Sequence, residues 1–345
     1  MLIFGIETSC DETAVSLIQR GATNSVIAEK IKSQIPLHAE YGGIVPEIAS
    51  RTHLEVIDTL TESVLKKSKQ KMNDIELIGV TQGPGLIGSL LVGLSFAKAI
   101  SFREKIPLVP VDHIHSHIES VFIDHPDIEY PLVALVVSGG HTSLFYQVSK
   151  FETQLIAKTR DDAVGEVMDK IAKFYGLPYP GGPILDGLYG SGDPHRFSFT
   201  IPRMSDGSND FSFSGYKTAV LRYTRQHKLT RDNQLFRDLV SSFLYSVIGY
   251  LVSKTESAVK NHSVKSVIVA GGVSRNSLLR KKFKEAFQSK NIPLYLPSPK
   301  QCTDNALMVA WLAYETYMKF PDRNYFDFHI NAYSRAAFRE NKKHR

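Results

Sequence analysis

The sequence predicts a duplicated α/β protein of two lobes, and three observations support this prediction. The 345 residues exceed one ordinary core and suit two domains of roughly 170 residues each. A composition of 43% hydrophobic and 22% charged residues is typical of globular chains and excludes a largely disordered one. The same order of strand-like and helix-like segments also occurs twice along the chain, which indicates an internal duplication.

The first half of the chain shows the order of segments that is later repeated. Residues 2–9 and 13–18 predict a β-hairpin, and residues 25–32 predict a third strand before a helix. Residues 78–86 form an apolar strand that ends in a glycine turn and opens a helix, and residues 106–109 form a short closing strand.

The second half repeats these five elements in the same order. They lie at residues 131–140, 142–146, 153–159, 267–274 and 292–295. An insert of about 60 residues separates the hairpin unit from the glycine turn. It contains a Pro/Gly/Asp-rich stretch at 177–193, a polar run at 203–210 and an amphipathic pattern from Phe236 to Val252, which predicts a packed core helix.

Two such units with a cleft between them match the actin/Hsp70/sugar-kinase (ASKHA) architecture, in which a nucleotide binds between related lobes. Glycine-ended strands would present backbone N–H groups and helix N-termini to phosphates in that cleft. We therefore predict an N-terminal lobe at 1–126, a C-terminal lobe with a helical insert at 127–320, and a C-terminal segment with a basic tail at 321–345.

The net charge of +6 is concentrated at the C-terminus. Residues 335–345 contain five Lys or Arg and one Glu, so the rest of the chain is nearly neutral. This predicts that the tail contacts nucleic-acid phosphates, the alternative being a solvated chain end. The sequence contains no stretch of 18 uncharged apolar residues and no recognisable secretory leader, and its two cysteines are Cys10 and Cys302. These features together predict a cytoplasmic protein without a membrane span.

A pair of histidines at helical spacing is the first candidate for chemistry. His113 and His117 would share one face of a helix and reach one metal ion, with surface histidines as the alternative. Asp304 follows the second closing strand, and the internal symmetry would bring it across the cleft to this pair. Two His and one carboxylate suit Fe(II), with Zn(II) as a second choice. The alternative is that Thr303 or Asp304 only caps the following helix.

Further candidates lie in turns. The Ser138–Gly140 turn would expose consecutive N–H groups as an anion site, or be an ordinary type I′ turn. Asp11 and Glu12 in the first hairpin turn would orient a metal or accept a proton, or merely form the turn. Asp169 and Asp186 are candidate acceptors for ribose hydroxyls, or solvated acids.

Taken together, these motifs resemble the TsaD family of tRNA adenosine threonylcarbamoyltransferases, once labelled O-sialoglycoprotein endopeptidases. The resemblance covers about residues 2–320. It is carried by the segments at residues 5–13, 38–50, 82–86, 113–117, 137–142, 179–183, 271–274 and 302–305.

The resemblance implies transfer of a threonylcarbamoyl group from threonylcarbamoyl-AMP to N6 of the tRNA adenosine 3′ of the anticodon. It implies one iron ion held by His113, His117 and Asp304. It also implies adenylate binding by nine residues: Val136, Val137, Ser138, Gly139, Gly140, Asp169, Gly182, Asp186 and Asn276. Implied partners are tRNA, a TsaB-like paralogue and a TsaE-like ATPase, with a separate synthase that makes the adenylate.

One position departs from the family pattern. Asp112 stands where the family often has a further histidine before the metal-binding helix, which leaves the ligands intact but alters their surroundings. Two other enzyme classes remain as alternatives. A metalloprotease would need a glutamate where Ile114 stands, and a small-molecule kinase of the same fold would need no metal-binding histidine pair. A non-catalytic scaffold fits the combined motifs poorly.

Overall fold

The computed structural model describes residues 1–22 and 24–335, which fold into two compact units with one five-stranded sheet each. Within the described residues, the first unit comprises Met1–Asp124 with residues 303–335, and the second comprises His125–Cys302. The predicted phosphate-contacting tail, residues 335–345, lies outside the described residues apart from Arg335.

The sheet of the first unit has the strand order β3-β2-β1-β4-β5. Its strands are β1 (Leu2–Glu7), β2 (Glu12–Gln19), β3 (Ser25–Ser33), β4 (Leu77–Gly83) and β5 (Leu108–Asp112). The first three pair antiparallel, and β1, β4 and β5 pair parallel. All six residues of β1 are buried, because helices cover both faces of this central strand.

The first unit contains five α-helices in its described residues. They are α1 (Ile35–Ala39), α2 (Pro46–Ser68), α3 (Ile87–Glu104), α4 (His113–Asp124) and α10 (Ala306–Lys319). Phe4 and Ile6 face the core formed with α2 and α3, whereas Gly5 faces α10. A Cβ atom at Gly5 would lie 2.3 Å from the Ala306 carbonyl oxygen, so glycine allows α10 to pack directly on the sheet.

The sheet of the second unit has the order β10-β9-β6-β7-β8, which matches the first sheet strand for strand when the order is reversed. Its strands are β6 (Leu132–Val137), β7 (Thr142–Ser149), β8 (Glu152–Lys158), β9 (Ser266–Ala270) and β10 (Leu294–Tyr295). Every residue of β6 is buried, as in β1. The repeat predicted from the sequence is thereby confirmed.

The described residues of the second unit form five α-helices. They are α5 (Val164–Phe174), α6 (Gly181–Leu188), α7 (Ser214–His227), α8 (Gln234–Asn261) and α9 (Ser277–Gln288). Asn233 caps α8 by accepting a hydrogen bond from the Phe236 amide at 3.0 Å. Helix α8 is long and apolar enough to span a membrane, but 67% of its most apolar window is buried within the protein, as expected of a core helix.

The predicted assignment of residues 303–320 to the C-terminal lobe is wrong. These residues belong to the first unit, because α10 packs against β1, β4 and α4. The segment after α10 stays with the same unit: the Tyr325 carbonyl accepts a hydrogen bond from the Leu108 amide at 2.9 Å. Lys98 Nζ likewise donates to the Ile330 carbonyl at 2.6 Å.

Candidate metal centre and substrate site

Three potential metal ligands converge in the first unit, at the start of α4 and just before α10. His113 and His117 lie one helical turn apart, with ring centroids separated by 4.7 Å. Asp304 Oδ1 is 3.0 Å from His117 Nε2 and 3.6 Å from His113 Nε2. The potential ligand atoms of the three residues all lie within 4.8 Å of one another, so one cation can be shared by the set.

Asp304 reaches the histidines by a route different from the predicted one. It lies in the same unit as His113 and His117, since α10 packs directly against α4. The predicted approach from the symmetry-related lobe is therefore wrong. The capping alternative is also wrong, because Asn305 caps α10 by accepting a hydrogen bond from the Met308 amide at 2.9 Å. Asp304 thus contacts the histidines and does not cap the helix.

Glu7, at the end of β1, orients His113 and was missed by the sequence analysis. Its Oε2 lies 3.1 Å from His113 Nδ1, and Ser9 Oγ lies 3.2 Å from the same nitrogen. Glu7 is fully buried and also accepts hydrogen bonds from the Ser9 amide at 2.5 Å and from Thr81 Oγ1 at 2.6 Å. With Nδ1 protonated towards Glu7, the lone pair on His113 Nε2 faces Asp304.

The charges of this cluster shift the pKa of its members in opposite directions. Burial alone would lower the pKa of His113, but the neighbouring Asp304 and Glu7 carboxylates raise it to about 9. Burial alone would raise the pKa of Glu7, but His113 holds it below its usual range. The cluster therefore stabilises positive charge at the ring of His113.

The residues present fit a divalent transition metal. Two imidazole nitrogens and one carboxylate oxygen form the donor set, and Glu7 supplies the buried carboxylate that metal-ligating histidines commonly contact through their other nitrogen. His117 Nδ1 is buried and has no hydrogen-bond partner among the described residues. His115, between the ligands, points elsewhere, with its Nε2 at 3.7 Å from Glu119.

Asp112, the position that departs from the family pattern, anchors the ligand helix. Its Oδ1 accepts a hydrogen bond from the His115 amide at 2.9 Å and thereby caps α4. Its Oδ2 accepts a hydrogen bond from the Tyr333 hydroxyl at 2.6 Å, and burial together with this carboxylate raises the pKa of Tyr333. The segment after α10 therefore supports the start of the metal-binding helix, a contact that nothing in the sequence indicated.

The first hairpin turn, with Asp11 and Glu12, is held by a buried polar network. His53 Nε2 lies 2.9 Å from the Cys10 carbonyl, and its Nδ1 lies 2.7 Å from Thr13 Oγ1. Burial lowers the pKa of His53 and therefore favours its neutral form. Burial and the neighbouring Asp11 raise the pKa of Glu12 well above its ordinary value, and Glu12 Oε1 accepts a hydrogen bond from Ser33 at 3.3 Å.

In the second unit, the Ser138–Gly140 turn joins β6 to β7 as predicted. Neither Gly139 nor Gly140 has a positive φ, which excludes the type I′ alternative, and a Cβ atom on either would meet only open space. A Cβ at Gly165, in the first turn of α5, would lie 2.6 Å from the Ser138 carbonyl oxygen. The N-terminus of α5 therefore approaches the turn closely.

The glycine turn after β9 packs against the end of β6, the strand that leads into the Ser138–Gly140 turn. Gly271 has a φ of 90°, and a Cβ there would lie 2.4 Å from the Val137 carbonyl oxygen, so glycine is required on both counts. Val136 and Val137 are fully buried in β6. Asn276 follows this turn and caps α9, since its Oδ1 accepts a hydrogen bond from the Leu279 amide at 2.9 Å. Within the part of the chain that the structure describes, its buried Nδ2 has no hydrogen-bond partner.

The two aspartates predicted to bind ribose both contact helix N-termini. Asp169 Oδ1 accepts a hydrogen bond from the Gly181 amide at 2.7 Å, which brings the start of α6, including Gly182, next to α5. Asp186 accepts hydrogen bonds from the Ser277 amide at 2.9 Å and the Ser277 hydroxyl at 2.8 Å, at the start of α9. Together with the Ser138 turn and Asn276, these contacts link all the predicted adenylate-binding residues within one unit.

Known proteins resemble this chain over most of its length. A family model described as TsaD, tRNA N6-adenosine threonylcarbamoyltransferase, matches residues 25–311. A protein of that name from Fusobacterium nucleatum is 46% identical over 314 residues, which cover 91% of each chain. Another from Geotalea uraniireducens is 46% identical over 310 residues, which cover 90% of each chain.

Solved structures with low sequence identity share the fold. HypF from T. kodakarensis is 13% identical with a TM-score of 0.62, covering 92% of this chain and 48% of the other. A ROK hexokinase from Thermus thermophilus is 12% identical with a TM-score of 0.51, covering 92% and 100%. The fold class is therefore the predicted actin-like ASKHA class. With the identity to curated relatives and the match over most of its length, the chain belongs to the TsaD family of tRNA N6-adenosine threonylcarbamoyltransferases.

Proposed function

We propose that this protein transfers the threonylcarbamoyl group from threonylcarbamoyl-AMP to N6 of the adenosine adjacent 3′ to the anticodon, in tRNAs reading codons that begin with adenine. The N6 nitrogen forms a bond to the carbamoyl carbon, the bond from that carbon to the phosphate oxygen breaks, and AMP leaves. One proton leaves the amine. The observation that carries the proposal is 46% identity over 91% of the chain to a protein named for this activity.

We propose that His113, His117 and Asp304 hold one Fe(II) ion per chain, with Zn(II) as the alternative. The donor set and the buried Glu7 behind His113 support this assignment. When bound, such an ion supplies Lewis-acid stabilisation of negative charge on a phosphate or a developing oxyanion, worth several kcal/mol. The ligands must be deprotonated to bind it, so uptake of the ion releases the proton that His113 otherwise holds.

The chain's own residues bind and orient the adenylate in this proposal. The Ser138 amide already donates to the His141 carbonyl at 2.8 Å. Gly139 and Gly140 border open space, so the backbone of these two residues is accessible to the phosphate. The free Nδ2 of Asn276 is a donor for a ribose or base acceptor. Asp186 retains acceptor capacity for a ribose hydroxyl beyond the Ser277 amide and hydroxyl, since a carboxylate accepts about four hydrogen bonds. Asp169 is the second proposed acceptor for the ribose.

Proton removal from the amine is assigned to the first hairpin turn. An exocyclic adenine amine is a weak nucleophile, so a nearby base assists as the bond to carbon forms. Glu12 is a candidate for this role, because burial and the neighbouring Asp11 raise its pKa and so make its carboxylate a stronger base. We retain both residues as catalytic candidates.

A cytoplasmic location and partner proteins complete the proposal. Following the family resemblance, a TsaB-like paralogue and a TsaE-like ATPase act with this chain, and a separate synthase supplies the adenylate. Large apolar side chains support a protein partner for the first unit: Leu54 of α2 is 69% exposed, and Ile87 and Leu91 of α3 are 42% and 45% exposed. They lie near the crossing of the two helices, where Gly88 approaches Ser50.

The function is tested by reconstitution. The purified chain, its proposed partners and the synthase are incubated with threonine, bicarbonate, ATP and unmodified tRNA, and the nucleosides are analysed by mass spectrometry. Threonylcarbamoyladenosine should appear only when this chain is present. A tRNA with guanosine 3′ of the anticodon is the matched control. Absence of the product from the complete mixture, with the synthase shown to be active, would contradict the proposal.

A further inference from the structure

Helix α7 and the turn after it form a strongly basic surface segment of the second unit. Residues 214–231 contain five Lys or Arg and neither Asp nor Glu. Four of these cations, at Arg222, Arg225, Lys228 and Arg231, are exposed. The chain outside the C-terminal tail is nearly neutral, so this segment concentrates positive charge that the composition does not reveal.

Arg222 and Arg225 lie on α7, and Lys228 and Arg231 lie in the turn after it. Together these four side chains form a basic row. Tyr216, Val220 and Thr224 are buried and fix the inner face of α7 against its unit. Arg222 and Arg225 lie three residues apart on the opposite side, so their Cβ atoms are about 5–6 Å apart. A backbone fixed by packing presents cations to a polyanion at a smaller entropy cost than a flexible chain does.

Of the five cations in residues 214–231, two lie near a carboxylate among the described residues. Lys217, at the start of α7, pairs with Asp162 at 3.6 Å, and Arg231 lies 3.9 Å from Asp232. Among the described residues, no carboxylate lies within 4.0 Å of the charged groups of Arg222, Arg225 or Lys228.

Helix α9 is also basic, but its charges are partly used within the unit. Arg280 donates to the Ser274 carbonyl at 2.8 Å and to the Pro297 carbonyl at 2.7 Å. Lys282 Nζ lies 3.2 Å from the centroid of the Tyr245 ring. The exposed row on α7 is therefore the stronger candidate for a polyanion contact.

Helix α7 starts close to the predicted adenylate site, and the basic side chains follow in its second half and in the turn after it. Asp161 accepts hydrogen bonds from the Phe213 amide at 2.7 Å and from Ser214 Oγ at 2.9 Å, which fixes the start of α7 to the loop before α5. The first turn of α5 in turn packs on Ser138 through Gly165. A tRNA that presents one base to the adenylate site is long enough to extend along α7 to the basic side chains at its far end.

We infer that Arg222, Arg225, Lys228 and Arg231 form a surface that contacts the phosphate backbone of tRNA. The inference rests on the proposed function, because that function supplies the polyanion. Contacts of this kind position the nucleic acid and do not read its sequence. The surface would therefore hold any substrate tRNA in register without selecting among them.

The test is the salt dependence of tRNA binding by the full-length chain. The double variant Arg222→Gln/Arg225→Gln is compared with Lys66→Gln/Lys67→Gln, which removes two exposed charges from α2 in the other unit. Binding of an unmodified tRNA transcript is measured by fluorescence anisotropy between about 0.05 and 0.3 M salt, over which phosphate contacts dominate affinity. Loss of two phosphate contacts should make the plot of log association constant against log salt less steep, by roughly two units of slope. It should also weaken binding about 10- to 40-fold at ~0.1 M salt.

The control variant should bind tRNA like the parent protein, and AMP binding should be unchanged in both variants. Equal slopes for the α7 variant and the control would overturn the inference. A second contradicting result is possible. If truncation after Tyr333 removes the salt dependence of tRNA binding while the α7 variant binds like the parent, the tail and not α7 holds the tRNA. Weaker binding of a protein partner with unchanged tRNA binding would also overturn it. If the parent protein neither binds nor modifies tRNA, the proposed function fails as well, and the two failures are thereby distinguished.

Discussion

The substitution Glu7→Gln tests whether the buried carboxylate sets the state of His113 for metal binding. A carboxylate can only accept the hydrogen bond from His113 Nδ1, which leaves the lone pair on Nε2 directed at Asp304. A glutamine amide can donate to Nδ1 instead. That arrangement favours the tautomer with its proton on Nε2, and this nitrogen, which faces Asp304, then cannot bind a metal.

The magnitude follows from the position of Glu7 behind a single ligand. Removal of such a partner typically weakens metal affinity 10- to 100-fold, which corresponds to about 1.4–2.8 kcal/mol. We expect this loss for Zn(II) and Fe(II), measured by competition with a chromophoric chelator under anaerobic conditions. The fold should survive, because glutamine is nearly isosteric and can still accept the hydrogen bond from the Ser9 amide.

Glu119→Gln is the matched control. Glu119 is also fully buried and lies on α4, but it faces His115 and not the proposed ligands. Its substitution should leave metal affinity within about 2-fold of the parent value. Unchanged metal affinity in Glu7→Gln, or an equal loss in both variants, would refute the role assigned to Glu7.

Three further predictions follow from individual residues. Replacing His113 or His117 by Ala should abolish stoichiometric metal binding and group transfer together, whereas retained metal in both variants, measured by elemental analysis, would exclude the proposed triad. Asn276→Ser should keep the helix cap but weaken AMP binding in calorimetry about 10-fold, because the free amide donor is lost; unchanged affinity would remove Asn276 from the adenylate site. Tyr333→Phe should lower the free energy of unfolding by about 1 kcal/mol, and Asp112→Ala by about 2 kcal/mol because it also uncaps α4; denaturant titrations that rank them in the opposite order would contradict this.

Local patterns in the sequence were enough to predict the fold. Apolar runs and glycine turns identified the strands of both sheets, and the repeated order implied that the sheets share one topology. The same symmetry misplaced Asp304, since it cannot show that α10 packs on the other sheet. The packing of α10 on the sheet of the first unit depends on close approaches such as that of Ala306 to Gly5, which only the tertiary structure reveals.

The candidate site shows the same limit. His113 and His117 are visible as a spacing on one helix, but Glu7 is separated from His113 by 106 positions and Tyr333 from Asp112 by 221. One signal was available for Glu7, because it is the only charged residue in the buried strand Leu2–Glu7. A buried acid at a strand end requires a partner, and this requirement alone would have marked it as a site residue.

Direct transfer from a preformed adenylate is the most direct test of the proposed activity. Synthetic threonylcarbamoyl-AMP is mixed with this chain, its proposed partners and unmodified tRNA, and the AMP released and the modified nucleoside are both quantified. We predict equimolar AMP and threonylcarbamoyladenosine, with the nucleoside absent when the adenosine 3′ of the anticodon is replaced by guanosine. Release of AMP without nucleoside modification, under conditions where the tRNA is bound, would contradict assignment of the chain as the transferase.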